Sequence, residues 1–482
     1  MSAKLINSAL LSSGAQFLNK LLGLISTLIL ARILTPEDFA LIALVSITLY
    51  FFDVLSNAGS EQYLIQKTRV TFNDLNTAWS LDVLIKSIIF ILVVIFAHPI
   101  AMFMEQPEIS LAIIVASSVL IIQACKPPQL ILLKRQLNYA LLFKLSLLQK
   151  ITSFMVVIPS ALYLKNFWAF IIADIVATAI YVGMAYMVIG KRPKFRFTEV
   201  KNQWLFSKWL LAKSVLGYMR SQVDTIIVSK HFSSTILGNY HIARDISMMP
   251  GHYLLAPAIE PLLASFSQLK TKTKKFFQHF CNVTLVISLL SGPIAVFILF
   301  NADLIITVLL GKQWLIAQGI LQVFAFLFLY WVYWLLVEQA LVGQGKVKLL
   351  FWFDFISLAL TIFCLLVLLS QRQQIVEVAV LRVVTGIFLT FFALMYLLKN
   401  QVTELLKVIA FISWPLLVSL MVALILQELP LLDNAVADLL LKGASYFTLL
   451  GGLFFLLLAC LKHISVEHKL VYEFIKMKLR LP

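Results

Sequence analysis

Leu349–Leu369 is an apolar run in which Asp354 is the one charged residue. A run of that length matches a membrane-crossing helix, which needs about 20 apolar residues. It does not match a barrel strand, because barrel strands alternate apolar and polar positions. Similar runs recur from one end of the chain to the other. Composition points the same way: of the 482 residues, 61% are hydrophobic and 13% charged, against roughly 45–50% and about 25% in soluble domains. A soluble fold has no means of hiding this much apolar surface. The expected fold class is an all-α polytopic membrane protein.

Fourteen transmembrane helices are expected, over roughly 8–31, 39–58, 78–104, 107–126, 142–164, 167–190, 204–230, 235–262, 276–299, 315–341, 347–370, 375–398, 405–427 and 439–461. Charge tests this layout. With the N-terminus in the cytoplasm, the inner links hold Lys67 and Arg69, then Lys126, Lys134 and Arg135, then Lys191, Arg192, Lys194, Arg196 and Lys201. Lys270, Lys272, Lys274 and Lys275 follow, then Lys346, Lys348, Lys399 and the basic tail. The outer links hold about one base each (Arg32, Lys165, Lys230, Lys312, Arg372), and the link between Gln427 and Leu439 holds only acids. This asymmetry puts both termini on the cytoplasmic side. It also explains the net charge of +16 without nucleic acid. The opening segment is interrupted by Gln16, Asn19 and Lys20 and lacks an Ala-x-Ala site, so it reads as a retained first helix, not a signal peptide. The tail from His463 onward interleaves bases with Leu470, Phe474, Ile475 and Leu479. It suits either a helix on the inner membrane surface or a solvated tail that fixes topology.

The chain divides at the basic link. Residues 1–190 form an N-lobe of six helices, 191–203 a cytoplasmic linker and 204–400 a C-lobe of six helices. Residues 401–482 add two more helices and the tail. An internal repeat supports the division. Ala31-Arg32-Ile33-Leu34-Thr35-Pro36 parallels Ser229-Lys230-His231-Phe232-Ser233-Ser234, an offset of 198 from Ala31 to Ser229. Leu141-Leu142-Phe143 parallels Leu349-Leu350-Phe351, an offset of 208. Two matches at similar offsets indicate duplication. Six helices per half give parallel repeats, an arrangement that places substrate between halves and alternates access by rocking them.

Several of these residues also carry a family resemblance. Gly14–Lys67, with Leu30-Ala-Arg-Ile-Leu-Thr-Pro-Glu-Asp-Phe39, Phe52-Asp53, Gly59 and Leu64-Ile65-Gln66, resembles the polysaccharide transporter (Wzx-type flippase) family. That family belongs to the multidrug/oligosaccharidyl-lipid/polysaccharide exporter superfamily. Gln222-Val-Asp224-Thr-Ile-Ile-Val-Ser229, Leu237-Gly238-x-Tyr240-x-x-Ala243 and Pro250 resemble the same family in the second half. The resemblance implies a V-shaped, two-lobe fold in the bacterial inner membrane. It also implies a flippase for undecaprenyl-diphosphate-linked oligosaccharides in O-antigen, capsule or exopolysaccharide assembly. The implied partners are membrane lipid, a polysaccharide polymerase and the chain-length or export machinery.

Charges inside the spans are the candidate functional residues, since each costs about 2.5–3.5 kcal/mol at mid-membrane on insertion scales. Lys213, Arg220 and Asp224 are spaced by seven and four and share one face of the seventh span. Arg220 and Asp224 can pair across one turn. Lys20 adds a base in the matching first span, and Arg244 lies on the eighth. A water-filled cavity lined by Lys20, Lys213, Arg220 and Arg244 would neutralise a diphosphate or acidic sugar as it crosses. The competing reading is a ladder of structural ion pairs, with Arg244 snorkelling to the outer surface. Asp53 and Asp224 are candidates for proton or sodium coupling. Asp82 and Lys86, one turn apart, can pair with each other. Pro250 and Pro257 can bend the eighth span. Tyr330, Trp331, Tyr333 and Trp334 crowd the tenth, for interface anchoring or sugar stacking.

Other chemistries lack their residues. The four cysteines form no CxxC and the seven histidines no HExxH, so no metal is expected. No G-x-x-x-x-G-K-[ST] loop is present, so no nucleotide and no other cofactor are expected. The outer links are too short for an extracellular catalytic domain, and an enzyme, such as a polysaccharide polymerase, is disfavoured. An ion-coupled multidrug antiporter and a peptidoglycan-precursor flippase remain alternatives. A drug site would favour acids, whereas bases predominate on spans one, seven and eight.

Overall fold

The computed structural model describes residues 18–478, except 20, 58–60, 62–63, 65–66, 68–69, 137–138, 191, 199, 370–373, 400, 428–433 and 464; the side chains of 139, 201–210, 212–213, 474–475 and 478 also lie outside the description. In chain order the helices are α1 (Leu21–Ile33), α2 (Pro36–Ser56), α3 (Phe72–Phe103), α4 (Ile109–Ala124), α5 (Leu130–Arg135), α6 (Tyr139–Leu164), α7 (Trp168–Ile189), α8 (Val200–His231) and α9 (Ser234–Pro250). Then come α10 (Ala256–Ile259), α11 (Leu262–Gln268), α12 (Thr273–Phe300), α13 (Ala302–Leu309), α14 (Ala317–Gly343), α15 (Val347–Leu369), α16 (Ile375–Leu397), α17 (Val402–Gln427), α18 (Ala435–Leu461) and α19 (Val466–Lys478). Each of the fourteen expected spans overlaps a helix. Ten of these, among the described residues, are long and apolar enough to cross a membrane, and α1 and α4 are shorter apolar helices. The remaining two, α8 and α9, are the ones that carry Lys213, Arg220, Asp224 and Arg244. The chain is a multi-pass helical membrane protein.

The helix breaks follow local chemistry. Thr35 accepts a hydrogen bond from the Asp38 backbone N–H at 3.3 Å, and the Asp38 carboxylate accepts from the Thr35 N–H at 3.1 Å. Pro36 occupies the first turn, where its missing N–H costs nothing. Thr71 and Asp74 repeat this box at the start of α3. Gly190 ends α7 at φ +67°, a left-handed conformation that glycine adopts without a Cβ penalty. Pro250 is followed by one π-helical turn, Gly251–Leu255, and then by two short helices. The expected bend of the eighth span is therefore a break in the hydrogen-bond ladder that begins at the proline.

The chain forms two compact units, Met1–His241 and Ile242–Pro482, with the boundary inside α9. In the first, α2 packs on α3, α4 and α8, while α7 packs on α4 and α6. The linker is not a loose tether. The Lys194 and Arg196 N–H groups donate to Asn76 Oδ1 (3.1 Å) and Ser80 Oγ (2.8 Å), and Phe195 packs 4.8 Å from Trp79. The starts of α2 and α9 touch closely. A Cβ on Gly238 would lie 1.8 Å from the Pro36 carbonyl oxygen, and Thr235 hydrogen-bonds Glu37, which lies 198 residues away, the repeat offset itself. The two matched segments of the repeat thus meet at equivalent positions.

In the second unit α12 packs on α14, α17 and α18, and α14 packs on α16. The tail helix α19 docks against α12 and α18. Buried Glu467 lies 3.7 Å from Lys407, and the His468 ring sits 5.1 Å from Phe411 and 6.0 Å from Trp414. Part of the basic tail is therefore a packed element.

Candidate functional site

The polar face of α8 meets α2. The Tyr218 hydroxyl donates to the Ile47 carbonyl at 2.6 Å, and the Tyr50 and Tyr218 rings lie 5.2 Å apart. Next to this seam is a cavity of about 420 Å³ lined by Tyr50, Asn57, Ser214, Gly217, Tyr218 and Ser221. Positions 214, 217, 218 and 221 recur at three- and four-residue steps, so one helix stripe supplies the small and hydroxyl groups. Asp224 is fully buried and accepts from the Tyr240 hydroxyl at 2.9 Å, which joins α8 to α9.

The residues expected from sequence fall as follows. Lys20 lies outside the described residues. Lys213 is placed in α8, but its side chain is outside the description. Arg220 is partly buried, one turn before Asp224. Arg244 is partly buried on α9, in the second unit. Asp53 receives Lys86 Nζ at 3.5 Å, so Lys86 reaches across to α2 as well as lying one turn from Asp82.

Asp53 belongs to a further cavity of about 260 Å³, lined by α2, α3, the end of α4, α5, α6 and α7. Lys86, Lys126 and Lys134 line it, together with Asp53, Glu61 and Asp82. Lys134 pairs with Glu61 at 2.6 Å. Lys126 lies 5.2 Å from the centre of the Tyr181 ring. Burial pushes the Lys126 ammonium down to about 8, with Lys86 adding to the shift and Asp53 opposing it. Trp79, Gln123 and Tyr181 complete the polar wall.

Sequence reasoning counted Lys126 and Lys134 as topology charges in an inner link and did not place them in a site. The signal was Lys126-Pro127-Pro128. Two prolines stop α4 from continuing, and the chain turns into the short α5, whose last turn holds Lys134 and Arg135. That turn folds both lysines back over the helix ends.

The second unit has a contrasting cavity of about 320 Å³, lined by Phe280, Tyr333, Leu336, Leu394, Val408 and Ile412 among others. Tyr333 is buried and its hydroxyl is 2.8 Å from Ser288 Oγ. Trp334 is buried, Trp331 packs 4.6 Å from His252, and the Tyr330 ring fills the space beside Gly386. Trp331 and Trp334 of the tenth span are thus packed against neighbours, while Tyr330 and Tyr333 also line the cavity. Among the described residues no group of three or more His, Cys, Asp or Glu side chains is arranged to hold a metal ion.

The fold and its cavities define a multi-pass helical membrane protein with charged and hydroxyl-lined spaces in its first unit. The sequence signature of the family described as "Polysaccharide biosynthesis protein" matches residues 29–319. The chain belongs to this family. It is 24% identical over 308 residues to an uncharacterized membrane protein in the cps region of Klebsiella pneumoniae, covering 62% of this chain and 63% of that one. It is 19% identical over 301 residues to the lipopolysaccharide biosynthesis protein WzxC of Escherichia coli strain K12, covering 61% and 60%. The matches therefore span less than two thirds of these relatives. Among solved structures, the lipid II flippase MurJ in an inward closed conformation superimposes with a TM-score of 0.74 at 16% identity, over 92% of this chain and 98% of that one. An inward-facing MATE transporter superimposes with a TM-score of 0.60 at 12% identity, over 81% and 96%. These two likenesses concern the fold.

Proposed function

We propose that this protein is a flippase that moves lipid-linked oligosaccharide units, carried on undecaprenyl diphosphate, across the bacterial inner membrane for surface polysaccharide assembly. The supporting observation is the set of hydroxyl- and charge-lined cavities in the first unit of a chain that belongs to the polysaccharide biosynthesis family. Both termini face the cytoplasm in this reading, and the helices work as two six-helix lobes followed by two more. Lys20, Lys213, Arg220 and Arg244 offset the charge of the diphosphate and acidic sugars while the lipid tail stays in the bilayer. Arg suits phosphate oxygens through its planar fork and Lys acts as a point charge. Asp53 and Asp224 couple transport to an ion gradient. No bond is made or broken, so the protein is a transporter and not an enzyme. A polymerase and the chain-length or export machinery receive the product.

The test is flipping of a defined undecaprenyl-diphosphate oligosaccharide in reconstituted vesicles. Arg220→Glu should insert at the normal level and lose at least ten-fold in flipping rate. Unchanged flipping by that variant removes Arg220 from the site. Absence of flipping by the intact protein removes the function.

A further inference from the structure

We propose that the cavity around Lys126 in the first unit binds one anionic sugar unit. The argument begins with charge. Lys86 is held by Asp53 at 3.5 Å and Lys134 by Glu61 at 2.6 Å. Lys126 has no carboxylate within 4 Å among the described residues, and its recorded contact is the Tyr181 ring at 5.2 Å. An ammonium withdrawn from water loses several kcal/mol of hydration, whereas a cation–π contact returns about 0.5–2 kcal/mol. The side chain is therefore held in an unfavourable state that an incoming anion relieves.

The ligand's charge follows from the rest of the wall. The lining holds Lys86, Lys126 and Lys134 against Asp53, Glu61 and Asp82, so it is neutral overall. One anionic group beside Lys126 is matched locally, and a second full negative charge is not. Hydrogen bonding adds a second indication. The Gln123 side-chain amide lines the cavity and can donate to a ligand oxygen. Size sets the limit. At about 260 Å³ the cavity is below the roughly 300–1,000 Å³ of drug-sized sites. It suits one sugar with its acid group and excludes a whole oligosaccharide.

A sugar carboxylate or a singly charged sugar phosphodiester would supply this chemistry. The inference rests on the flippase reading for its relevance and extends it, because it assigns an acidic headgroup to a site distinct from Arg220. Binding is measured without transport, so either reading can fail alone.

The experiment is thermal unfolding of the full chain in lipid nanodiscs with glucuronate, the methyl phosphodiester of glucose 1-phosphate, or glucose. The intact protein should be stabilised by at least one acidic sugar and not by glucose. The acid that gives the larger shift identifies carboxylate or phosphodiester as the natural group. Lys126→Gln removes a buried charge and should be at least as stable as the parent without ligand, while its apparent affinity for the acidic sugar falls at least ten-fold. Lys126→Arg should retain the response, and it carries the test if the glutamine variant does not fold. An equal response to glucose overturns the proposal. So does an undiminished response in Lys126→Gln, or no response to either acidic sugar in the intact protein.

Discussion

The two compact units each enclose a cavity of similar size with opposite linings. The first, at about 260 Å³, presents three lysines and three carboxylates. The second, at about 320 Å³, presents mainly Phe, Leu, Ile and Val. The difference is one of side-chain chemistry. It comes from which side chains the helix ends turn inward. In the first unit a Pro-Pro break carries basic link residues back over the bundle. In the second, buried Tyr333, Trp334 and Leu336 on α14 hold the interior to apolar contacts and hydroxyl pairs. Lysines and carboxylates thus line the first of these cavities, while apolar side chains and hydroxyls line the second.

The sharpest way to break this contrast is to place the same charge in both cavities. Leu336→Asp puts a carboxylate into an apolar wall where Leu336 is 1% exposed. An unpaired buried charge costs several kcal/mol, and the variant should be recovered mostly unfolded. Leu130→Asp puts the same group into the charged cavity beside Lys126 and Lys134 and should unfold less than half as much protein at the same temperature. Equal losses in a thermal unfolding comparison would show that the linings do not differ in effect.

The close helix contacts give the next largest effect. At Gly238 the obstacle is the Pro36 backbone carbonyl, 1.8 Å from a built Cβ. At Gly386 it is the far end of the Tyr330 ring, at 2.3 Å. A ring can swing and a helix backbone cannot. Gly238→Ala should cost more than about 3 kcal/mol and Gly386→Ala about 1–2 kcal/mol, at the two ends of the overpacking range. Denaturation midpoints of the two variants measure this.

Titration should separate the units by the pH window in which stability changes. Lys126 titrates near 8 in the folded protein, below the usual lysine value of about 10.4. Between those values the unfolded chain binds more protons, so stability rises with pH across that window. Lys126→Gln should flatten the rise. In the second unit burial lowers the His468 imidazole below its ordinary value, with Glu467 opposing the shift. The unfolded chain then binds more protons below about pH 6.5, so stability falls on the acid side, and His468→Gln should remove that fall. Melting temperatures from pH 5 to 10.5 would show both limbs.

The smallest effect is expected at the Lys134–Glu61 pair, whose side chains are 38% and 41% exposed. Exposed pairs contribute about 0–1 kcal/mol. Glu61→Gln should therefore shift unfolding by less than about 1 kcal/mol, with a small change in the ligand response of the Lys126 cavity.

Much of the architecture was legible because bilayer insertion depends on local composition. Apolar run length located the spans, and the break expected between residues 31 and 39 falls between Ile33 and Pro36 in the structure. The cavity around Lys126 was not legible for the opposite reason. Its lysines come from a link, and in sequence a link lysine that faces water looks like one folded over a helix end. The Lys86–Asp53 contact was missed for a related reason: spacing along one helix reveals neighbours on that helix and is silent about the helix packed beside it.

The chain alone determined that its solvent is lipid, that it folds as helices, and about where the long apolar helices lie. Each follows from short-range properties: side-chain transfer free energy and backbone hydrogen bonds that a single helix satisfies by itself. Tertiary structure decided which polar groups face one another, which lysine is left with a ring in place of a carboxylate, and that Gly238 rests on Pro36. Those outcomes depend on helix rotation and close approach, and both are set by the packing of residues far apart in the chain.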